Sequence, residues 1–321
     1  MSDMLSNIDA RTRLAGTNKL EVLMFTLGVD GRTGRREIFG INVFKVREVM
    51  RTPTITAAPE MSASVKGMVS LRGALVPVVD LAEFIGMPSG SETAREIMIV
   101  TEYNGHTQGF LVEGVDTILR LDWSQMRVPP EMMTSNLGGL VTAVTELADG
   151  RLVMMLDVER ILAETTQYDD ALMLKDLKPV AERDATVFFA DDSSVARSQI
   201  TRTLDALGIK HIGAINGRAA WEELQKMAAY ATGSGRTMKD LVQLVLTDVE
   251  MPEMDGYILT KSIKSDPRFA GIPVVMHSSL SGADNQQLGF SVGVDQYVPK
   301  FEPQRLAQTL TRLMQLKPQA T

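Results

Sequence analysis

Cysteine is missing altogether from the 321 residues. That excludes disulfides, thiolate metal sites and a cysteine nucleophile, and it fits a reducing cytoplasm. Positive charge is not in excess either: 33 Lys and Arg stand against 40 Asp and Glu, a formal net charge of −7. A nucleic-acid footprint needs a basic patch or stripe, so nucleic-acid binding is not expected. No apolar run reaches the roughly eighteen residues that span a bilayer. The opening MSDMLSNIDARTRLAG has neither the long apolar core nor the positive flank of a signal peptide. Direct membrane insertion is therefore not expected, and any membrane association must go through a partner. A nucleotide-cradling GxxxxGK(S/T) loop is also missing, which leaves no footing for a stand-alone kinase or nucleotide hydrolase.

What is present begins with size. At 321 residues the chain exceeds what one hydrophobic core usually supports, and two domains are expected. The 20 methionines are read mostly as core filling. The most informative stretch is Leu244–Gly256, LVLTDVEMPEMDG. Leu244, Val245 and Leu246 leave no polar face, as in a central strand covered on both sides, and Asp248 stands just past its end. In open α/β sheets, ligands bind in the crevice outside the carboxyl ends of the strands. Pro252 and the Asp255-Gly256 pair then force a turn before a new helix.

Three further strand ends carry matching chemistry. Thr186–Ala190 (TVFFA) runs into Asp191 and Asp192, Ile272–Met276 (IPVVM) into His277, Ser278 and Ser279, and Gln296–Pro299 (QYVP) into Lys300. Three carboxylates at one edge repel one another and stay ionised when a cation joins them, and hard oxygen ligands suit Mg²⁺. Lys300 and Ser278 would complete a phosphoryl cradle, the ammonium as a point charge and the hydroxyl as a donor. Asp248 is left as the nucleophile, forming an acyl phosphate with a phosphoryl group supplied by another molecule.

In these motifs the C-terminal part, 185–316, resembles a response-regulator receiver domain. The resemblance implies an α/β doubly wound sheet of five parallel strands, with Asp248 as phosphoacceptor. It also implies that Asp191, Asp192, Asp248 and the backbone carbonyl of Glu250 hold Mg²⁺, and that Ser278, Tyr297 and Lys300 contact or report the phosphoryl group. Two departures stand out. Phe301 follows Lys300 where receivers usually have a proline after a cis bond, which leaves the state of the Lys300-Phe301 bond open. Glu250 puts an anion two residues after Asp248. Helices are expected over Ser194–Leu207, closed by Gly208, and over Arg218–Ala229, Tyr257–Lys264, Asp284–Val292 and Pro303–Leu316. The polar stretch Ala231–Asp240 is expected to be a mobile surface loop.

The N-terminal half has a different rhythm. Short β-rich runs lie at Leu20–Leu27, Glu37–Ile41, Val65–Leu71, Ala74–Val79, Ile97–Val100, Gln108–Val112, Leu137–Val144 and Leu152–Leu156. Asp149-Gly150 between the last two signals a hairpin. Brief helices are expected at Val43–Met50 after Asn42, at Leu81–Ile85 capped by Asp80, and at Val158–Leu162 after Asp157. No strand end here gathers a catalytic set, and His106 in its Gly-flanked turn reads as exposed. This half is expected to be a binding module. Through VFKVREVM (Val43–Met50), VKGMVSLRGALVPVVDL (Val65–Leu81) and GFLVEGVDTIL (Gly109–Leu119), residues 20–164 are similar to the CheW-like coupling domain of bacterial chemotaxis. That resemblance implies an all-β pair of SH3-like barrels. It also implies binding to the CheA-type histidine kinase and to the cytoplasmic tip of methyl-accepting chemoreceptors. Glu48 and Arg72 are charges among apolar neighbours, read either as two unrelated solvated side chains or as an ion pair fixing the partner-binding loops.

Residues 1–19 read as an N-terminal arm, 317–321 as a tail, and 165–184 as a linker whose apolar residues are too sparse for a core. It is expected to be a hinge with a short helix, ended near Pro179. The whole resembles a CheV-type chemotaxis coupling protein, an adaptor and not an enzyme, held in the cytoplasm at receptor arrays by its partners. Phosphorylation of Asp248 would modulate coupling. A phosphate sink for the kinase and a phosphorylation-independent scaffold are the rival expectations.

Overall fold

The computed structural model describes residues 19–316 apart from 32, 58, 60, 88–94, 104–105, 130–139, 167–173, 176, 181–184 and 280–282. The expected arm up to residue 18, the tail and much of the linker lie outside the described residues. The chain divides into two compact units, Lys19–Gln167 and Tyr168–Thr321.

The first unit runs β1 (Lys19–Val29), β2 (Arg36–Asn42), β3 (Val46–Arg51), β4 (Val65–Leu71), β5 (Ala74–Asp80), α1 (Leu81–Phe84), β6 (Ile97–Tyr103) and β7 (His106–Val112), followed by β8 (Gly114–Asp122), β9 (Val141–Glu146), β10 (Leu152–Leu156) and α2 (Val158–Thr166). It holds two five-stranded sheets, ordered β8-β1-β2-β10-β9 and β3-β6-β7-β5-β4. Each is antiparallel except for one parallel pair, β2 with β10 and β5 with β7. Both sheets curl back on themselves. Beyond β8, Arg127 bridges Val144 of the opposite edge strand β9, and beyond β3, Thr56 bridges Met68 of β4. Each encloses its own core, one built on Val22, Met24, Met126 and Val153, the other on Val69, Val78, Met98 and Val100. Closure removes exposed strand edges, which otherwise invite pairing with other chains.

Local chemistry explains the connections. Asp80 caps α1 by accepting from Glu83 N at 3.1 Å, and Asp157 accepts from Arg160 N at 3.0 Å at the start of α2. The expected helix at Val43–Met50 is corrected. Asn42 caps a single 3₁₀ turn, Val43–Lys45, and β3 follows at once. Val43 and Val46 are spaced as on a helix face, but β-branched valines also suit a strand, and pairing of Val46 with Thr101 and Val49 with Ile99 prevails. β8 was not expected as a strand, because on this sheet edge apolar and polar residues do not alternate cleanly.

The second unit runs β11 (Thr186–Ala190), α3 (Ser194–Leu207), β12 (Lys210–Ala214), α4 (Gly217–Gly233), β13 (Leu244–Thr247), α5 (Gly256–Ser265), β14 (Val274–Ser278), α6 (Ala283–Ser291), β15 (Gln296–Pro299) and α7 (Pro303–Leu313). All strand pairs are parallel in the order β12-β11-β13-β14-β15. Successive residues of β11 feed opposite layers, Val187 and Phe189 toward α3 and α7, Phe188 and Ala190 toward α4 and α5. Gly208 closes α3 at φ 71°, a left-handed cap.

Two expectations fail here for the same reason, buried apolar residues hidden in polar sequence. Ala231–Asp240 is not a loose loop. α4 continues to Gly233 with Ala228 and Ala231 buried, and a 3₁₀ turn, Met238–Asp240, buries Met238. The described end of the linker is not a free hinge either. Val180 is buried, its N–H donates to the Leu207 carbonyl at 3.0 Å, and Leu177 packs on the same apolar layer.

Gly256 carries a sharper constraint. A Cβ there would lie 1.9 Å from the carbonyl oxygen of Asp248, so only glycine lets α5 start this close to the central strand. Gly256→Ala is expected to cost about 1–3 kcal/mol, the usual range for overpacking. Urea unfolding of the receiver unit would read this loss, and unchanged stability would contradict the close approach.

Candidate functional site

The carboxyl edge of the parallel sheet gathers the expected residues. Asp191 follows β11 directly, Asp248 follows β13, Ser278 ends β14, and Lys300 follows β15. The sequence placed Ser278 beyond its strand, but β14 extends through it. Asp191, Asp192 and Asp248 bring one carboxylate oxygen each within 4.8 Å of one another. Lys300 Nζ lies 3.0 Å from Asp191 Oδ2 and 3.0 Å from Asp248 Oδ2. Lys300 is only 1% exposed, a depth at which an unpaired ammonium would be prohibitive. Asp192, half-buried, is the most open of the three acids.

Backbone groups aim these side chains. Asp248 Oδ1 accepts from Val249 N at 2.6 Å. Asp191 Oδ1 accepts from Ser193 N at 2.9 Å, and Ser193 in turn caps α3 by accepting from Ala196 N. Arg197 was not singled out in the sequence. One turn into α3, its Nη1 donates at 2.9 Å to both the Asp191 and the Asp192 carbonyls, pinning the turn that presents the acids. Its signal was its place, five residues after Asp192 at the start of an expected helix. The Lys300-Phe301 bond is trans, and Phe301 takes φ 61°. A left-handed conformation costs an L-residue roughly 1–2 kcal/mol, so the turn after Lys300 is strained.

Tyr297 is buried, and its hydroxyl is hydrogen-bonded to that of Ser278. It shares an apolar cluster with Tyr257, Met276 and Val249. Burial pushes both phenols well above their usual range. Negative charge from Glu250 and Asp248 adds to the rise, and the Ser278 bond and Lys300 partly oppose it at Tyr297. Glu250 is buried beside this group.

Glu48 and Arg72 lie in the first unit and take no part in this edge. They do meet each other: Arg72 Nη2 is 3.0 Å from Glu48 Oε2. Arg72 sits in the β4–β5 turn at φ 49°, with its side chain 72% exposed, so the pair is anchored through the less exposed Glu48. It links the two outer strands of the sheet, β3 and β4, and Arg47 beside it pairs with Glu102 at 2.9 Å. His106 opens β7 and is exposed. Among the described residues no helix is long and apolar enough to cross a membrane.

Comparison with known proteins follows this division. Residues 21–166 match the CheW-like domain model and residues 187–311 the response regulator receiver domain model. The class is thus a CheW-like domain joined to a receiver. The chain is 31% identical over 281 residues to chemotaxis protein CheV3 of Helicobacter pylori, covering 86% of this chain and 88% of that protein. Chemotaxis protein CheV1 of the same organism is 28% identical over 334 residues, covering 98% and 100%. The scaffolding protein TtCheW from Thermoanaerobacter tengcongensis is 24% identical with a TM-score of 0.38, covering 43% of this chain and 88% of that structure. The chain belongs to the CheV family of chemotaxis proteins.

The two buried phenols generate a test in alkali. A hydroxyl whose ionisation is suppressed by folding contributes stability below its unfolded value of 10.0, and that contribution is lost as pH rises further. Of the five tyrosines, two are expected to ionise only as the receiver unit unfolds above pH 10. A tyrosinate absorbance titration run beside near-UV circular dichroism checks this, and ionisation of all five in the folded protein would contradict it.

Proposed function

We propose that this protein is a phosphorylation-modulated adaptor, coupling chemoreceptors to a CheA-type histidine kinase in the cytoplasm, at receptor arrays. The observation that carries the reading is Asp248. Its carboxylate is buried, held by Val249 N on one oxygen and by Lys300 on the other, beside Asp191 and Asp192. A docking surface has no use for that set together.

The donor chemistry favours a hard divalent cation. Three carboxylate oxygens within 4.8 Å face a single ammonium, and Asp192 leaves a way in. Asp191, Asp192, Asp248 and the Glu250 carbonyl would hold Mg²⁺, which when bound supplies charge neutralisation for the incoming phosphoryl group. The remaining steps belong to the chain's own residues. A carboxylate oxygen of Asp248 attacks the phosphorus, the bond from phosphorus to the donor breaks, and an acyl phosphate forms. The Lys300 ammonium then exchanges its ion pair with the carboxylate for one with a phosphoryl oxygen, and the Ser278 hydroxyl donates to another. Because Ser278 is bonded to Tyr297, its turn toward the phosphoryl group is felt by the buried phenol.

Asp248 phosphorylation would shift the hold of the CheW-like unit on its partners by a coupling of about 1–3 kcal/mol. The protein incubated with Mg²⁺ and acetyl phosphate is expected to gain one phosphoryl group that Asp248→Ala does not. Its affinity for a receptor–kinase array should change by about tenfold. Uptake with unchanged affinity would favour a phosphate sink, and no uptake would leave a passive scaffold.

The Glu48–Arg72 pair is assigned to the partner surface. Arg72→Ala is expected to weaken array binding while leaving the unfolding transition in place, since exposed ion pairs are worth about 0–1 kcal/mol. Unchanged binding in a titration against kinase and receptor would remove Arg72 from that surface.

A further inference from the structure

The segment joining the two units touches the receiver at two places. Leu174 lines a small pocket together with Thr203, His277, Phe301, Pro303 and Leu306. Two of these walls are neighbours of the phosphoryl-contacting residues, since His277 precedes Ser278 and Phe301 follows Lys300. Further along, Leu177 and Val180 cover the apolar layer between α3 and α7, with Val180 N held on the Leu207 carbonyl at 3.0 Å. The two footholds are joined by a backbone bond, Leu177 N donating to Leu174 O at 3.0 Å.

We propose that Leu174, Leu177 and Val180 are the footholds of a strap whose hold on the receiver is set by the phosphorylation state of Asp248, acting through Lys300 and Phe301. The inference rests on the reading of Asp248 as phosphoacceptor. In the structure Lys300 is drawn inward by Asp191 and Asp248 at once, and Phe301, in a left-handed conformation, lines the pocket of Leu174. An acyl phosphate replaces the anionic oxygen on Asp248 with charged oxygens farther out. The ammonium follows them, and the adjoining residue loses the restraint that keeps it at φ 61°. With Phe301 turned away, the pocket loses a wall and the first foothold goes. The second is a single backbone bond with two aliphatic side chains, a local contact of the kind that opens without global unfolding. Release would free a stretch of tether that reaches up to about 20 Å when extended, at roughly 3.3 Å per residue.

The Val180 amide is a built-in reporter, because its exchange with deuterated solvent requires the bond to Leu207 to open. Hydrogen exchange is followed by mass spectrometry on the full chain with Mg²⁺, with and without acetyl phosphate, and phosphoryl occupancy is read from the intact mass of the same samples. Phosphorylation is expected to speed exchange at Val180 about tenfold, while Val187 and Val245 in the sheet keep their protection. Phe301→Gly, which accepts a positive φ and has no ring, is expected to speed Val180 to a similar extent without any donor. Absence of phosphoryl uptake overturns both this proposal and the reading of Asp248. Uptake with unchanged Val180 exchange overturns the strap alone. Faster exchange in the phosphorylated protein but not in Phe301→Gly overturns the route through Phe301.

Discussion

The ion pairs of Lys300 with Asp191 and Asp248 tie together the ends of three strands far apart in sequence. Two buried carboxylates at one sheet edge repel each other, and a buried ammonium has no tolerable alternative to them. Much of the surrounding geometry serves that triangle. Ser193 and Val249 N–H groups aim the acids, Arg197 pins the turn behind them, and Gly256 lets α5 begin against the Asp248 carbonyl. Charge balance also makes the triangle responsive. Whatever alters the charge on Asp248 alters where Lys300 is most stable, and Lys300 shares its backbone with a strained neighbour.

The CheW-like unit works by a different constraint, closure. Each of its sheets has one parallel pair and meets itself across its outer strands, through the Arg127–Val144 and Thr56–Met68 bridges. Glu48 and Arg72 span the second of these seams from strand to turn. A closed barrel holds its turns in place without large cores, so a rigid surface can be displayed by short strands. In the proposed adaptor this unit would supply shape held constant, and the receiver a change of charge.

Most of the receiver was legible because its chemistry sits at strand ends, where an apolar run stops and a charged residue begins. Asp191, Asp248 and Lys300 are found that way, and α3 is read to the residue from its Gly208 cap. Legibility failed where tertiary pairing overrode local pattern. VREVM became β3 because β6 was there to pair with it, and AAYATG stayed helical because Ala228 and Ala231 had a core to enter. Arg197 escaped notice since its role lies in two backbone carbonyls, which leave no trace in residue type. The meeting of Glu48 and Arg72 was an open alternative because barrel closure, not sequence spacing, brings them together.

Leu177 and Val180 precede the first strand of the parallel sheet yet belong to its apolar layer. The module is therefore wider than its sheet. A receiver excised at Thr186 would leave behind part of its own covering and expose Leu207 and Leu316 to water. Exchange of receivers between coupling proteins by recombination at that strand would likewise leave mismatched surfaces, whereas a crossover upstream of Leu174 would move the layer intact. Packing thus fixes where this chain can be cut and rejoined, and does so in a stretch whose composition reads as a spacer.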